Sequence, residues 1–372
     1  MLDEFRLSLC ILLFTLSLLT IIRAPFYLAW KLAVGVTEFP HVLFLFAITG
    51  FSLRFMTVEY VLAGDILSAS SALFFIYPVI AAPAIARKTH EAFGRNGNDA
   101  PFSLKRLLIG RGLKKISPKE LTYKTSGAIE LKLDYYQNKD GKICPTVIVV
   151  HGGSWQSGDS KQLPDLNHWL ACKGYNVASI NYRLAPEFNC PAPVEDLTDA
   201  INFLKSRSAE FYLDPNNFIL LGRSAGGQIS LLTAYSKQIP EIKGVISFYA
   251  PADMVWGWSL PGNPLVLDSR KVMRAFVGDT CENAPDKFAA SSPIEFVSEK
   301  CPPTLLIHGK NECMVAYEHS MRLCRKLKEK NIKHFLISIP WATHGCDYSI
   351  NGPSGQISTF AIERFLERMF KM

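Results

Sequence analysis

Residues 217–228 read NFILLGRSAGGQ, and this stretch decides the fold. Apolar, strand-forming residues precede Gly222, and a helix-like pattern begins at Gln228. Ser224 lies between them, with glycines two residues before it and two and three residues after it. Small neighbours are needed there, because the backbone of a sharp strand-to-helix turn leaves no room for a bulky side chain two residues from the serine. The stretch therefore predicts a nucleophile elbow that presents Ser224.

A serine hydroxyl needs a base to remove its proton and an acid to hold that base in one tautomer. In an elbow-containing fold the acid and the base follow the serine along the chain. The apolar run at 303–307 leads to Glu312, and the run at 334–339 leads to His344. We therefore predict His344 as the base and Glu312 as the acid. Asp347 is a weaker alternative for the acid, because it lies only three residues after the base and the loop would have to fold back on itself.

A third requirement is a set of N–H donors that face the oxygen on which negative charge develops. Residues 145–150 form the clearest strand pattern in the chain, and the turn His151-Gly152-Gly153-Ser154-Trp155 follows them directly. Glycines in such a turn let the backbone approach a substrate closely. We predict that the N–H groups of Gly152, Gly153 and Ala225 form an oxyanion hole.

Strand and helix patterns alternate from residue 120 onward. Strands are predicted at 121–124, 129–136, 146–150, 177–181, 218–221, 244–249, 304–307 and 334–339, and helices at 163–173, 194–208, 228–236, 316–330 and 355–369. Such alternation builds a mostly parallel sheet with helices on both faces, and ligands bind beyond the carboxyl ends of its strands. We predict an α/β catalytic domain over residues 120–372 with an eight-stranded, mostly parallel sheet.

Over about residues 120–371 the sequence resembles the α/β-hydrolase superfamily, and within it the esterase and lipase branch that includes the hormone-sensitive-lipase-like carboxylesterases. The matching stretches are 151–155 (HGGSW), 181–187 (NYRLAPE), 193–197 (PVEDL), 222–227 (GRSAGG) and 292–294 (SPI). The resemblance implies the α/β-hydrolase fold and a serine enzyme that cleaves esters through an acyl-enzyme intermediate, with no metal or organic cofactor.

Two alternatives to this function stay open. The His-Gly-Gly-x-Trp turn is also similar to aryl-formamidases, which cleave an amide. A membrane scaffold that keeps an inactive hydrolase fold is the other alternative.

Two positions depart from the family pattern. Glu312 stands where most relatives have aspartate, and Arg223 stands in the elbow where many have Asp, Glu or His. A free cation at Arg223 would favour an acidic or zwitterionic substrate, whereas pairing with a nearby carboxylate would give it no such role. The sequence leaves both interpretations open.

A long connection separates the strands at 244–249 and 304–307. It exceeds the usual length of a simple connection. We expect that part of residues 254–300 forms a lid over an acyl pocket, with packing of a core helix as the alternative.

The apolar excess of the chain, which is 48% hydrophobic, is concentrated at its start. Three largely apolar segments, 7–30, 42–61 and 66–86, reach the length of about 20 residues that a bilayer core requires. A cleavable signal peptide would explain only the first, and two acidic residues precede it where positive charge is expected. We predict a transmembrane region of about three spans over residues 1–86. Arg54 and Glu59, within the second segment, are expected to pair inside the helix bundle or to mark its end.

Positive charge follows the third segment. Residues 87–119 contain nine Lys/Arg and two Asp/Glu, a balance of +7 that equals the formal net charge of the whole chain. Such a cluster favours the cytoplasmic side of a membrane and its anionic lipids. We predict a basic juxtamembrane linker there, with a flexible loop at 94–98, in a multi-pass membrane protein whose catalytic domain is cytoplasmic.

The remaining composition excludes several classes of protein. Nine cysteines without a Cys-x-x-Cys pair disfavour a disulfide scaffold and a zinc cluster. Neither a P-loop nor a dinucleotide-binding fingerprint is present, and the basic residues cluster beside the membrane segments, so nucleic acid is not an expected partner. The expected partners are a small-molecule or lipid ester and membrane lipids.

Overall fold

The computed structural model describes residues 1–94, 102–110, 112–127 and 129–370. Eight strands form one sheet: β1 Lys119–Ser126, β2 Ile129–Tyr136, β3 Cys144–Val150, β4 Asn176–Ile180, β5 Leu213–Arg223, β6 Ile242–Phe248, β7 Thr304–Gly309 and β8 His334–Ile339. Their order across the sheet is β1-β2-β4-β3-β5-β6-β7-β8. The β1–β2 and β2–β4 pairs are antiparallel, and every later neighbour in this order is parallel.

Helices precede the sheet and fill its connections. They are α1 Leu2–Ser17, α2 Tyr27–Glu38, α3 Pro40–Ser52, α4 Val61–Ala92, α5 Leu104–Ile109, α6 Asp165–Cys172, α7 Ala192–Ser206, α8 Ala225–Ser236, α9 Met254–Ser259, α10 Ser269–Val277, α11 Pro285–Ala290, α12 Glu318–Glu329 and α13 Pro353–Phe370. Short 3-10 turns follow α1 and α3.

Both faces of the sheet are covered, because alternate residues of a strand point to opposite faces. In β5, Phe218 and Leu220 pack into one hydrophobic core with α7 and α8. Ile219 and Leu221 pack into a second core with α6 and α13. The predicted three-layer α/β architecture is therefore confirmed.

The predicted strands and helices are all found, with ends that differ by a few residues. The largest difference is in β5, which begins at Leu213 rather than Phe218. The ladder between β3 and β5 reaches back to Leu213 because a register shift between Cys144 and Thr146 absorbs the intervening residues. The helix predicted from Gln228 begins at Ala225, directly after the serine of the elbow.

The N-terminal region differs from the prediction of about three spans. In the first predicted span, α1 and its 3-10 turn end at Thr20, and the chain turns through Pro25 before α2 begins. The second predicted span is interrupted after Ser52 by a 3-10 turn and an extended residue, Thr57. Hydropathy averages do not register such breaks. In the first break, Pro25 has no backbone N–H to donate to a continuing helix.

One helix in the described part of the chain is long and apolar enough to cross a membrane. It is α4, with 32 residues, and it contains the third predicted span. By the same criteria of length and composition, the described residues contain one further candidate span if α2 and the helix that begins at Pro40 count as one element despite a bend of 89°. A long, apolar core helix of a soluble protein has the same length and composition, and one third of the most apolar window of α4 is buried.

Charged residues of the N-terminal helices pair with one another. Arg6 of α1 is buried, donates to the Gly50 carbonyl oxygen at 3.0 Å, and forms an ion pair with Asp65 of α4. Arg54 lies 3.0 Å from the second oxygen of Asp65. Arg54 therefore pairs within the helix bundle, as expected, and Glu59 is exposed.

The N-terminal helices also pack on the catalytic domain. Ala82 and Ala86 of α4 belong to the same buried core as α13, and Tyr77 contacts the ring of Trp341 edge-on. The division at residues 86 and 119 stays a prediction about domains. Residues 95–98 of the predicted flexible loop lie outside the described residues.

Candidate active site

The predicted elbow is a strand, a turn and a helix in the structure. Ser224 lies between β5 and α8 with φ 52° and ψ −118°. This is a positive-φ backbone conformation that residues other than glycine rarely adopt. The glycines make the turn sterically feasible. A Cβ added at Gly222 would lie 2.1 Å from the Gly226 oxygen, and one added at Gly226 would lie 2.2 Å from the Val150 oxygen. The elbow therefore packs closely against the end of β3, beside the His-Gly-Gly turn.

The structure brings Ser224, His344 and Glu312 together. His344 Nε2 lies 3.0 Å from Ser224 Oγ, and His344 Nδ1 lies 3.0 Å from Glu312 Oε2. Glu312 is fully buried and His344 nearly so. The three side chains form a continuous hydrogen-bonded relay with the order and geometry that a nucleophile, a base and an orienting acid require.

The loop after β7 holds Glu312 in place. Its Oε1 accepts the backbone N–H groups of Met314 at 2.7 Å and Val315 at 3.3 Å. Burial alone would raise the pKa of the Glu312 carboxyl, but His344, then His308 and the Met314 N–H, hold that pKa below its ordinary value. The carboxylate is therefore ionised when it faces the imidazole.

The loops after β7 and β8 are fixed to each other, which sets the distance between acid and base. The Asn311 N–H donates to the Ala342 oxygen at 3.1 Å, and a Cβ at Gly309 would lie 1.9 Å from that same oxygen. Only glycine at 309 permits this approach.

Asp347, the alternative acid, has a different set of partners. Its two carboxylate oxygens accept from Arg223 Nε and from the Tyr249 hydroxyl, and all three side chains are buried. The Tyr249 ring packs 4.4 Å from the His344 ring. Burial, and then the nearby Asp347 charge, raise the pKa of Tyr249 well above its usual range, so its proton stays in place. Arg223 is therefore a buried, paired cation behind the base and not a free charge beside the substrate.

The predicted oxyanion donors have different environments. The Gly152 N–H already donates to Gln162 Oε1 at 2.8 Å, so it is not available to a substrate oxygen unless Gln162 moves. Gly153 has φ 124°, and a Cβ there would lie 2.0 Å from the Ser157 oxygen. Ala225 is the first residue of α8, where N–H groups have no partner within the helix.

Side chains outside the relay hold the His-Gly-Gly turn in place. The Trp155 indole stacks on Phe276 with a centroid distance of 4.3 Å, and its N–H donates to Gln228 Oε1 at 2.9 Å. The His151 ring stacks on Tyr182 at 4.3 Å. Burial lowers the pKa of His151, so the ring stays neutral in this stack.

A cavity of about 440 Å³ opens in front of Ser224. Much of its lining is apolar, including Trp155, Leu260, Leu267, Val272, Met273 and Val315. Residues of the long insertion between 257 and 273 line part of it. The same insertion also contributes to the core, because Met273, Phe276 and Val277 of α10 are buried. One insertion thus contributes both to the cavity wall and to the core, and the lid stays a prediction.

The segment between α1 and α2 also lines the cavity, through Arg23, Ala24 and Pro25. No motif or spacing in the sequence indicated a role of these residues in the site. The indole N–H of Trp30 donates to the backbone oxygen of His344 at 2.8 Å. The base is thus tied to the N-terminal region by a direct hydrogen bond.

Other stretches of the family pattern have structural partners. Asp196 is fully buried and accepts from Arg183 Nε at 2.9 Å and from Lys124 Nζ at 2.8 Å. Ser292 Oγ accepts the Met254 N–H at 2.8 Å, which fixes the start of the insertion.

No metal-ligating cluster is found among the described residues, since no three His, Cys, Asp or Glu side chains converge in a suitable way. All nine cysteines are unpaired thiols.

The BD-FAE family model matches residues 133–327, which are 195 of the 372 residues. The chain belongs to the BD-FAE family. The match includes the His-Gly-Gly turn, the elbow and Glu312, and it ends before His344.

Curated relatives and solved structures agree with this membership. Esterase LipC of Mycobacterium tuberculosis is 29% identical over an alignment of 258 residues that covers 64% of this chain and 62% of the relative. The isoprenylcysteine alpha-carbonyl methylesterase ICME of Arabidopsis thaliana is 26% identical over 229 residues, 57% of this chain and 53% of the relative. The chain thus spans little more than half the length of these curated relatives.

The structural matches concern the fold. Esterase Est2 of Thermogutta terrifontis has a TM-score of 0.57 at 22% identity, covering 68% of this chain and 92% of that chain. A truncated carbohydrate esterase from gut microbiota has a TM-score of 0.55 at 22% identity, covering 68% of this chain and 99% of that chain. The predicted α/β-hydrolase fold is confirmed.

The assignment of the acid can be tested with two amide variants. Glu312→Gln should lower the turnover of a 4-nitrophenyl ester by about a thousandfold or more, because the imidazole loses its orienting carboxylate. Asp347→Asn should instead lower the free energy of unfolding by about 3–5 kcal/mol, because Arg223 is left as a buried charge without its partner. Steady-state rates and unfolding curves of both variants are the measurements. Loss of activity in a normally stable Asp347→Asn variant would transfer the role of acid to Asp347.

The Trp30 hydrogen bond can be tested without removing the ring. Trp30→Phe should reduce kcat/KM by about 2- to 10-fold, because one neutral hydrogen bond contributes roughly 1 kcal/mol and here it fixes the backbone of the base. The unfolding temperature should change little. Trp256→Phe, on an indole that does not line the cavity, is the matched control. Equal rates for Trp30→Phe and the wild type would remove Trp30 from the site.

Proposed function

We propose that the protein is a serine hydrolase that cleaves carboxylic esters and is attached to a membrane. The observation that carries the enzymatic part is the relay from Glu312 through His344 to Ser224, with 3.0 Å at each step. Family membership and the esterase names of the curated relatives support the same reaction.

In the first half of the reaction Ser224 Oγ attacks the acyl carbon of the ester. The proton of the hydroxyl passes to His344 Nε2, and a bond forms between Oγ and the acyl carbon. Glu312 accepts the Nδ1–H of the ring and stabilises the positive charge that His344 acquires. The tetrahedral intermediate then collapses, the bond to the alcohol oxygen breaks, and His344 donates its proton to that oxygen.

The oxygen of the tetrahedral intermediate needs donors during this step. We assign the N–H groups of Ala225 and Gly153 to this role. The Gly152 N–H is engaged by Gln162, so this residue supports the shape of the turn rather than the intermediate. A Cβ at Gly152 would lie 3.1 Å from the Arg223 oxygen, so glycine at this position lets the turn pack closely against the elbow.

In the second half water replaces the alcohol. His344 takes a proton from the water, the hydroxide attacks the acyl carbon, and the bond to Ser224 Oγ breaks as Oγ recovers its proton from His344. The products are a carboxylic acid and the free serine, and no further reactant is needed.

The cavity supports an ester with an apolar acyl or alkyl group. Its volume of about 440 Å³ falls in the range of small-molecule sites, and its side walls are mainly aliphatic and aromatic. An amide of the aryl-formamide type would use the same relay, and no contact in the cavity favours it over an ester. An inactive scaffold would have no need of an aligned relay.

The enzymatic proposal is tested on the full chain in detergent with short 4-nitrophenyl esters and an N-formyl aromatic amine in parallel. Ser224→Ala should lower ester turnover by roughly a millionfold, as removal of the nucleophile does in comparable relays. It should also abolish labelling by a fluorophosphonate probe. Ser230→Ala, a change at a buried serine of α8 that bonds its own helix, is the control. Ester turnover by Ser224→Ala at the rate of the wild type would refute the proposal, and faster cleavage of the amide would redirect it.

The membrane proposal rests on the surface of the N-terminal helices. Large apolar side chains of this region are exposed, among them Ile11, Leu12, Leu45, Phe46, Leu62, Ile66, Leu73 and Ile80. Soluble monomers rarely expose so extended an apolar surface. The exposed face of α4 gives the region a surface that lipid tails would cover. A cytoplasmic position of the catalytic domain is supported by the basic residues of 87–119 alone.

Membrane attachment is tested by introducing charge on α4. The full chain should stay in the membrane pellet after an alkaline carbonate wash. The double change Leu73→Glu and Ile80→Glu should move it to the supernatant, since each charge inside a bilayer costs about 2.5–3.5 kcal/mol. Leu73 and Ile80 are 70% and 69% exposed, and Ile143 of the catalytic domain is 70% exposed, so Ile143→Glu is a closely matched control. Recovery of the wild type in the supernatant would contradict the proposal.

A further inference from the structure

The cavity in front of Ser224 contains one charge that the relay does not use. The charged or titratable side chains in its lining are Arg23, Glu312 and two others, Cys313 and His319. Burial raises the pKa of the Cys313 thiol to about 11 and lowers the pKa of His319 to about 3, so both are neutral near pH 7. Glu312 is buried in the relay. Arg23 is therefore the one uncommitted charge in the lining.

Arg23 has no ion pair or hydrogen bond from its side chain within the described ranges of the chain. Arg23 is exposed and belongs to the lining of the cavity. Arg223, by contrast, is buried and forms an ion pair with Asp347. A positive charge in a partly enclosed, largely apolar cavity attracts an anion more strongly than the same charge on an open surface.

The backbone on both sides of Arg23 is fixed. The Asn311 side-chain amide donates to the Leu19 oxygen at 3.0 Å and to the Ile22 oxygen at 3.1 Å. The Asn263 amide donates to the Pro25 oxygen at 2.8 Å. Because Asn311 directly precedes Glu312 and Asn263 belongs to the insertion, the segment that carries Arg23 is joined to both walls of the cavity.

We infer that Arg23 selects esters that carry a second, negatively charged group, a carboxylate or a phosphate, in addition to the ester to be cleaved. The inference rests on the proposed function and adds a substrate class to it. The anionic group of the bound ester lies against the Arg23 guanidinium, and the apolar walls contact the chain between that group and the ester. The relay itself is the same for neutral and anionic esters.

The test compares two esters that differ in one end group. Mono-4-nitrophenyl glutarate ends in a carboxylate, and 4-nitrophenyl valerate ends in a methyl group on an acyl chain of the same length. For the full chain in detergent, Arg23→Gln should reduce the ratio of kcat/KM for the glutarate over the valerate by about tenfold, mainly through the KM of the glutarate. Arg23→Lys should restore part of the ratio, because it keeps the charge and loses the planar fork.

A salt titration and a control arginine variant test whether the effect comes from the charge of Arg23. Raising the salt from about 0.05 to 0.5 M should reduce the ratio in the wild type and leave it constant in Arg23→Gln, because screening acts on the charge pair. Arg274→Gln, at an exposed arginine of α10 that does not line the cavity, should keep the wild-type ratio. An unchanged ratio in Arg23→Gln, or an equal fall in Arg274→Gln, would overturn the inference.

A binding measurement separates this inference from the proposed reaction. Monoethyl glutarate and ethyl valerate are titrated onto Ser224→Ala with and without the Arg23→Gln change, so that no turnover is required. Loss of the preference for monoethyl glutarate on removal of Arg23 supports the inference even if no ester is cleaved. If Arg23→Gln weakens binding to vesicles of anionic lipid while the preference among soluble esters is unchanged, the charge serves the membrane surface and the inference fails.

Discussion

The close backbone contact at the carboxyl ends of β3 and β5 is the constraint on which the active site depends. The elbow approaches the end of β3 so closely that a Cβ at Gly226 would lie 2.2 Å from the Val150 oxygen and 2.3 Å from the His151 oxygen. This contact holds Ser224 at φ 52°, a conformation that costs free energy and persists only because the surrounding strands and α8 fix it. The other groups of the site must be positioned relative to Ser224.

The core of the site follows from the sequence because it depends on strand ends. Parallel strands bring their carboxyl ends to one edge, so residues after β3, β5, β7 and β8 meet there whatever the connections between them do. Ser224, Glu312 and His344 are predictable for this reason. Asp347 is also close to His344 in sequence. Its partners, Arg223 and Tyr249, lie at the ends of two other strands. Only the packed structure shows that these partners occupy both carboxylate oxygens of Asp347.

The less predictable parts depend on contacts between distant segments. No motif in the sequence identifies Gln162 as the hydrogen-bond acceptor of the Gly152 N–H. The apolar N-terminal segments also look uniform when hydropathy is averaged, yet the chain turns at Pro25 and after Ser52. The segment at Pro25 then joins the wall of the cavity, a role that depends on amide contacts from Asn263 and Asn311 across more than two hundred residues.

The bond from the Trp30 indole to the His344 oxygen makes the first thirty residues part of the catalytic centre. Cutting the chain at the linker would therefore do more than release a soluble enzyme. Solvent would enter along the side of the cavity that residues 23–25 now close, and water would have to replace the lost donor at His344 and the lost acceptors of Asn311. The helical extension and the catalytic domain thus build one cavity wall together and share the hydrogen bond that holds the backbone of the base.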